Sequence, residues 1–318
     1  MEPAPPIMSG QRPFRFAVQM HQSPDGPSFL DSARRMEELG YDTLHVMDHF
    51  GDQLAPVPAM TAAAAVTQRL RVGSLVLDND YRHPLVLAKE LATLDVLSGG
   101  RLEVGIGAGW MASDYSESGI PHDRAGVRID RLEEALDVFK GLWGDGPVTH
   151  AGEHYRITGH DGTPKPLQRP HPPILIGGGG PRMLSIAARE ADIVGINPDL
   201  SAGVIAAGAA DATGESVDRK VDMVRKAAGG RIDEIELHVM SFAVVVTDDR
   251  DGWTERLSKM LSLTPTQLSN SPYTLIGNAA GIAQDLRTYR DQWGISYYTV
   301  MADSMEAFAP VVAELSGQ

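Results

Sequence analysis

In the stretch TLHVMDHFGD, two histidines and an aspartate fall within five residues, at the point where an extended run, Thr43–Met47, comes to an end. Alternation along that run puts His45 and Met47 on one face and leaves Asp48 and His49 at its C-terminal end. Two chemistries fit. His45, Asp48 and His49 could hold a zinc or iron ion, since imidazole and carboxylate suit both metals. Alternatively Asp48 orients a ligand ring while His49 gives or takes a proton. A metal site on a strand favours H-x-H spacing, which aims both rings the same way, and this stretch lacks it. His45 therefore reads as a packed histidine, and a metal-dependent hydrolase ranks second.

A second chemical feature lies in PPILIGGGGPRMLSIAARE, Pro172–Glu190, where an apolar run meets Gly177, Gly178, Gly179 and Gly180 before Pro181 opens a helix. Backbone amides without side chains, at a helix N-terminus, make an anion site. A tight turn would need only one or two glycines, so four point to an oxyanion, with Arg182 placed to pair with a phosphate. The stretch SLVLDNDYRHPLVLAKELATLDVLSGGRLEVGIGAGW is the longest informative segment. Gly105, Gly107 and Gly109 thin a strand end so that a flat group can approach, and Trp110 offers an aromatic wall. Arg82 and His83 stand before a helix begun by Pro84. The G-x-G-x-x-G spacing of a dinucleotide fingerprint is absent.

These residues need elements to hold them, and the elements alternate regularly. Strands are expected at Phe14–Met20, Thr43–Met47, Arg71–Leu77, Arg101–Gly107, Ile174–Gly177, Asp192–Asn197, Ile235–Val246 and Ile295–Val300, each followed by an amphipathic run. Eight strand–helix units with no hairpin signal predict a parallel sheet closed into a (β/α)₈ TIM barrel, whose site lies at the strand C-termini. Tyr297 and Tyr298 must face opposite sides of the last strand. Three long connections, near 108–126, 146–171 and 247–278, are expected as lids or substrate walls at the catalytic face.

The chain has 318 residues, no cysteine and a formal charge of −14. Disulfides, thiol nucleophiles and cysteine-ligated metals are excluded. The acidic balance without a basic run argues against nucleic acid or an anionic membrane surface as partner. No run reaches membrane-spanning length, and the Pro-rich start lacks a signal-peptide core. The expectation is a cytoplasmic protein with a flexible tail over 1–13 and one domain over 14–318.

The Asp48–His49 pair, the segment from Pro84 to Trp110, and Pro172–Gly180 together resemble the luciferase-like monooxygenase superfamily. SPYTLIGNAAGIAQDLRTYRDQWGISYY is similar to that family's C-terminal region. Within it the chain is most similar to the branch that uses coenzyme F420, a deazaflavin. The resemblance implies a homodimeric barrel that transfers a hydride between the deazaflavin C5 and a small organic substrate. It places Gly177–Gly180 and Arg182 at the cofactor phosphate, Asp48 at the pyrimidine end and His49 at the reacting face as acid/base. Gly107, Ala108, Gly109 and Trp110 would line the ring, and Leu75–Val76 would form a bulge behind it through a non-proline cis peptide. Members acting on sugar phosphates carry a glutamate where this chain has Trp110, which speaks against such a substrate. A two-component monooxygenase using reduced FMN is the alternative within the same fold.

Overall fold

The computed structural model describes residues 11–20, 25–203 and 208–318. Residues 1–10 of the expected tail lie outside the described residues. Thirteen strands are present among those described. The first four are β1 (Arg15–Met20), β2 (Thr43–Val46), β3 (Arg71–Ser74) and β4 (Leu77–Asp78). Then come β5 (Leu102–Gly107), β6 (Val148–Ala151), β7 (Arg156–His160), β8 (Ile174–Gly178) and β9 (Ile193–Ile196). The last are β10 (Glu236–Ser241), β11 (Ala243–Val246), β12 (Thr274–Gly277) and β13 (Ile295–Met301).

The main sheet runs β3–β2–β1–β13–β10–β9–β8–β5–β4, all parallel, and β3 also pairs with β5. That extra pairing closes the sheet. With β3 and β4 as two halves of one interrupted strand, the result is an eight-stranded (β/α)₈ barrel. The helices that precede the site are α1 (Gly26–Glu38), α2 (Pro56–Val66), α3 (Pro84–Ser98), α4 (Ala112–Ser118), α5 (Ala125–Trp143) and α6 (Pro181–Glu190). Local chemistry sets several ends: Asp25 caps α1 through Ser28 N, Pro84 fills the first turn of α3, and Gly99 closes α3 in the left-handed region. No helix among the described residues is long and apolar enough to cross a membrane.

Three expectations are corrected. The run Ile235–Val246 is not one strand. β10 belongs to the barrel, whereas beyond Phe242 the chain leaves it, and β11 pairs with β12 outside. Residues 146–171 hold an antiparallel hairpin, β6–β7. This connection departs from the C-terminus of α5, so its root lies at the opposite end of the barrel from the strand C-termini. Glu134 of α5 accepts from the backbone N–H groups of Glu153, His154 and Tyr155, and so anchors the hairpin turn along that helix. Its Tyr155 hydroxyl accepts from Asn79 Nδ2 at 3.2 Å and its ring meets His83 edge-on.

The lower barrel interior is polar, and its hydrogen bonds have one consistent direction. Glu103 is buried and touches Arg15 and Arg71; burial works against its charge, but the two guanidinium groups hold its carboxyl below the usual range. An ionised Glu103 only accepts, so the Tyr297 hydroxyl donates to it at 3.1 Å. The Tyr297 oxygen must then accept from His45 Nε2, 3.2 Å away. His45 is buried and its pKa is pushed down to about 3 by burial and by Arg15. Being neutral, it accepts through Nδ1 from the Thr299 hydroxyl at 3.1 Å. Thr299 has one hydrogen, so His238 Nε2 donates to it at 2.7 Å. His238 is itself held neutral by burial, which leaves its Nδ1 as a buried acceptor without a hydrogen-bond partner. As expected from alternation, Tyr297 faces this interior, while Tyr298 packs outward near Phe14 and Phe16.

Candidate functional site

The strand C-termini carry the site, and the interruption between β3 and β4 shapes it. The Leu75–Val76 peptide is cis. Leu75 N donates to Val46 O at 2.9 Å, and Gln19 Nε2 donates to Leu75 O at 3.0 Å. Ser74 Oγ donates to Gly105 O at 2.7 Å. Leu75 and Val76 are thereby held partly exposed above an apolar plug of Ala17, Leu175, Ile193 and Tyr297. This bulge accounts for the glycines of β5. A side chain on Gly105 would collide with the Ser74 carbonyl, and one on Gly107 would stand 2.9 Å from Val76 Cγ2. Gly109 has φ +74°, and the Tyr115 hydroxyl and Asp78 carboxylate occupy the place of its missing side chain. These glycines thus answer to packing, since a side chain at 105, 107 or 109 would meet the protein itself. Ala108 is buried, and its carbonyl accepts from Arg128 Nε at 3.0 Å.

His49 sits at the mouth, half-buried, with Nδ1 2.6 Å from Asp114 Oδ2. The Tyr81 hydroxyl donates to the same carboxylate oxygen at 3.1 Å. An ionised Asp114 can only accept, so it fixes the His49 hydrogen on Nδ1 and leaves Nε2 free for exchange. The Trp110 ring stands edge-on to the imidazole, with centroids 5.6 Å apart and an interplanar angle of 88°. Sequence reasoning missed Asp114 as a partner of His49. It lies four residues after Trp110, on α4, and only the fold brings that helix over the end of β2.

Asp48 stands at the end of β2 among protein partners. It is 4% exposed, with Arg82 bound bidentately at 2.6 and 2.9 Å and Asp78 N donating to Oδ2 at 3.0 Å. Its carboxylate braces the backbone after the bulge. Behind it, Asp78 and Asp80 share the Tyr115 hydroxyl, at 3.0 and 3.1 Å, and Arg131 binds Asp80 at 2.6 Å. Burial and the neighbouring Asp80 and Asp48 push the Asp78 carboxyl up to about 6. His83 serves as the N-cap of α3, accepting from Leu85 N through Nδ1.

The glycine run forms the end of β8 and the entry to α6. Three of its members answer to packing. Side chains would meet Asn197 at Gly177, Met183 at Gly178, and the Pro198–Asp199 backbone at Gly179. Only Gly180 faces open space, so the number of glycines does not by itself require an anion. Gly180 is also the N-cap of α6 and supplies no side-chain acceptor, which leaves first-turn amides uncapped. Arg182 does not turn toward them. It reaches across to α5, where Asp130, Glu133 and the Gly126 carbonyl hold it.

The three candidate metal ligands do not converge. His45 is locked to Thr299 and Tyr297 inside the barrel, Asp48 to Arg82, and His49 to Asp114. Among the described residues, no group of three or more His, Asp or Glu side chains is placed to hold a metal ion.

Comparison with known proteins matches residues 12–311 to the family model described as luciferase-like monooxygenase. The FMNH(2)-dependent dimethylsulfone monooxygenase of Pseudomonas putida is 27% identical over 224 residues, covering 70% of this chain and 58% of that protein. The F420-dependent glucose-6-phosphate dehydrogenase of Microbacterium testaceum is 32% identical over 189 residues, covering 57% of this chain and 55% of that protein. The chain thus spans little more than half the length of these curated relatives. Among solved structures, the coenzyme F420 dependent tetrahydromethanopterin reductase of Methanopyrus kandleri superposes with a TM-score of 0.77 at 17% identity, covering 96% of this chain and 98% of that one.

Proposed function

The chain belongs to the luciferase-like monooxygenase family, and from that premise we propose that it is a coenzyme F420-dependent oxidoreductase acting on a small organic substrate. The observation that carries this reading is the His49–Asp114 pair beside Trp110, at the mouth of the same barrel end as the Leu75–Val76 bulge. The residues fit a deazaflavin. Leu75 and Val76 offer a partly exposed apolar platform for a ring, and the Gln19 Oε1 atom is buried there without a partner. Gly180, open and uncapped at the start of α6, offers first-turn amides to a phosphate.

When bound, the deazaflavin supplies the hydride-carrying C5 centre. The chain's own residues do the rest. Asp114 holds the His49 ring through Nδ1, so that Nε2 is the nitrogen left to give or take a proton. Trp110 restricts the ring's rotation and shields it from water. Asp48, through Arg82 and Asp78 N, keeps the backbone beside the bulge in place.

The F420-dependent relative matches at a higher identity over a shorter stretch, 32% over 189 residues against 27% over 224, which supports the deazaflavin. The same platform and amides fit reduced FMN, and the dimethylsulfone monooxygenase, matched over 70% of this chain, supports that second reading. A fluorescence titration of the purified protein with F420, run beside FMN, separates them. Saturable micromolar F420 binding with FMN ignored supports the proposal; FMN binding alone moves the protein to the oxygen-using reading. We propose further that two copies associate through α2 and α3. α2 carries no charged residue, and Val86 and Leu97 of α3 are 51% and 66% exposed. Sedimentation at micromolar concentration tests this, a monomer being the opposing result.

A further inference from the structure

The barrel mouth has two halves of different chemistry. The ends of β4, β5 and β8 carry the bulge and the glycines. The ends of β1, β2, β9, β10 and β13 carry side chains, and alternation tells which point inward. Gln19 pairs in register with Met301, and its amide bonds Leu75 O across the barrel. Met240 pairs with Thr299, whose hydroxyl lies between two interior histidines. Met47 follows His45 by two residues, and Asn197 follows Gly195 by two. Met47, Met240 and Met301 are each partly exposed, and none packs into a core cluster.

None of these five inward residues is charged, and the nearby charges are already matched. His49 has Asp114, and Arg82 has Asp48. A phosphate entering here would give up water without gaining a cation, whereas thioethers adapt to apolar shapes. Two of the five are polar: Gln19, whose Nε2 is spent on Leu75 O, and Asn197. The Asn197 carboxamide lies over Gly177, where a side chain would stand 2.6 Å from its Nδ2. It makes no side-chain hydrogen bond among the described residues. Its backbone carbonyl is pinned by the buried Lys220 Nζ at 2.6 Å, and Lys220 is itself neutralised by Asp211.

We propose that this half of the mouth is a substrate chamber for an uncharged, mainly apolar organic molecule, walled by Met47, Met240 and Met301, whose carbonyl or hydroxyl oxygen is met by Asn197. The chamber takes the hydride chemistry from the function proposed above and its shape from the residues alone. It differs from a site for a phosphorylated sugar.

The test uses the full chain labelled with ¹³C at its methionine methyl groups, with and without F420, the three signals being assigned by single Met→Leu variants. The probes are cyclohexanone, a neutral six-membered ketone, and glucose 6-phosphate. Cyclohexanone is expected to shift the signals of Met47, Met240 and Met301, and glucose 6-phosphate to leave them in place. Asn197→Ala is expected to weaken the ketone titration several-fold. Shifts produced by glucose 6-phosphate, or three signals unmoved by the ketone, overturn the chamber. A protein that ignores F420 yet shows the ketone shifts loses the cofactor reading and keeps the chamber; one that binds F420 without them does the reverse.

Discussion

Asp114 Oδ2 lies 2.6 Å from His49 Nδ1 although the two residues are 65 positions apart. The contact converts a surface histidine into one with a fixed tautomer and a single exchangeable nitrogen. His49→Gln is therefore expected to lower kcat about 10²–10³-fold, within the range general acid–base catalysis supplies. Asp114→Asn should cost less, about tenfold, and leave F420 affinity nearly unchanged. Steady-state rates together with the fluorescence titration check both. An Asp114→Asn enzyme with wild-type kcat would remove Asp114 from the site.

Gly180 and Arg182 are expected to behave oppositely. Gly180→Asp adds an N-cap acceptor to α6 in open space, so the unliganded protein should gain a few tenths of a kcal/mol. The same carboxylate would repel a phosphate, and F420 affinity should fall at least tenfold. Arg182→Ala should leave that affinity unchanged, because its guanidinium is engaged with Asp130 and Glu133. Thermal melts and titrations of both variants decide the matter.

Two buried groups give stability opposite pH slopes. Folded His45 stays neutral down to about pH 3, whereas the unfolded residue is protonated below 6.5. Its contribution is complete above 6.5 and is lost as pH falls toward 3. Folded Asp78 keeps its proton up to about 6, against 3.8 when unfolded. The folded state binds the extra proton in that window, so this group lowers stability as pH rises from 3.8 to 6. The melting-temperature difference between Asp78→Asn and wild type should move in the variant's favour across that window and level off above it. A difference that does not vary with pH would mean an unshifted carboxyl.

Gly105→Ala should destabilise the fold by about 3 kcal/mol, at the upper end of overpacking costs, because its methyl group would meet a backbone carbonyl that cannot rotate away. Gly26→Ala, where nothing lies within 4 Å, is the control and should change stability by less than about 1 kcal/mol. Urea midpoints for the pair provide the measurement.

The sequence by itself determined the architecture. Strand–helix alternation and the helix-start prolines are local, periodic features, and they yielded eight barrel strands in nearly their observed places. The resemblance located the bulge at Leu75–Val76, and alternation separated Tyr297 from Tyr298. What lay beyond it was each side chain's partner. Glycine at 105, 107 and 109 reads in sequence as space for a ligand; the docking of β3 and β4 on β5 and the return of α4 put Ser74, Val76 and Tyr115 where their side chains would be. Arg182 reads as a phosphate ligand until α5 brings Asp130 and Glu133 alongside it. Asp48 and Asp114 are equivalent as carboxylates in the sequence, yet one became a buried brace for Arg82 and the other the orienting partner of His49. Residue type and period act over a few positions along the chain, whereas charge pairing and exclusion of volume act across 3 Å of space between segments far apart in sequence, and those were decided by the tertiary structure.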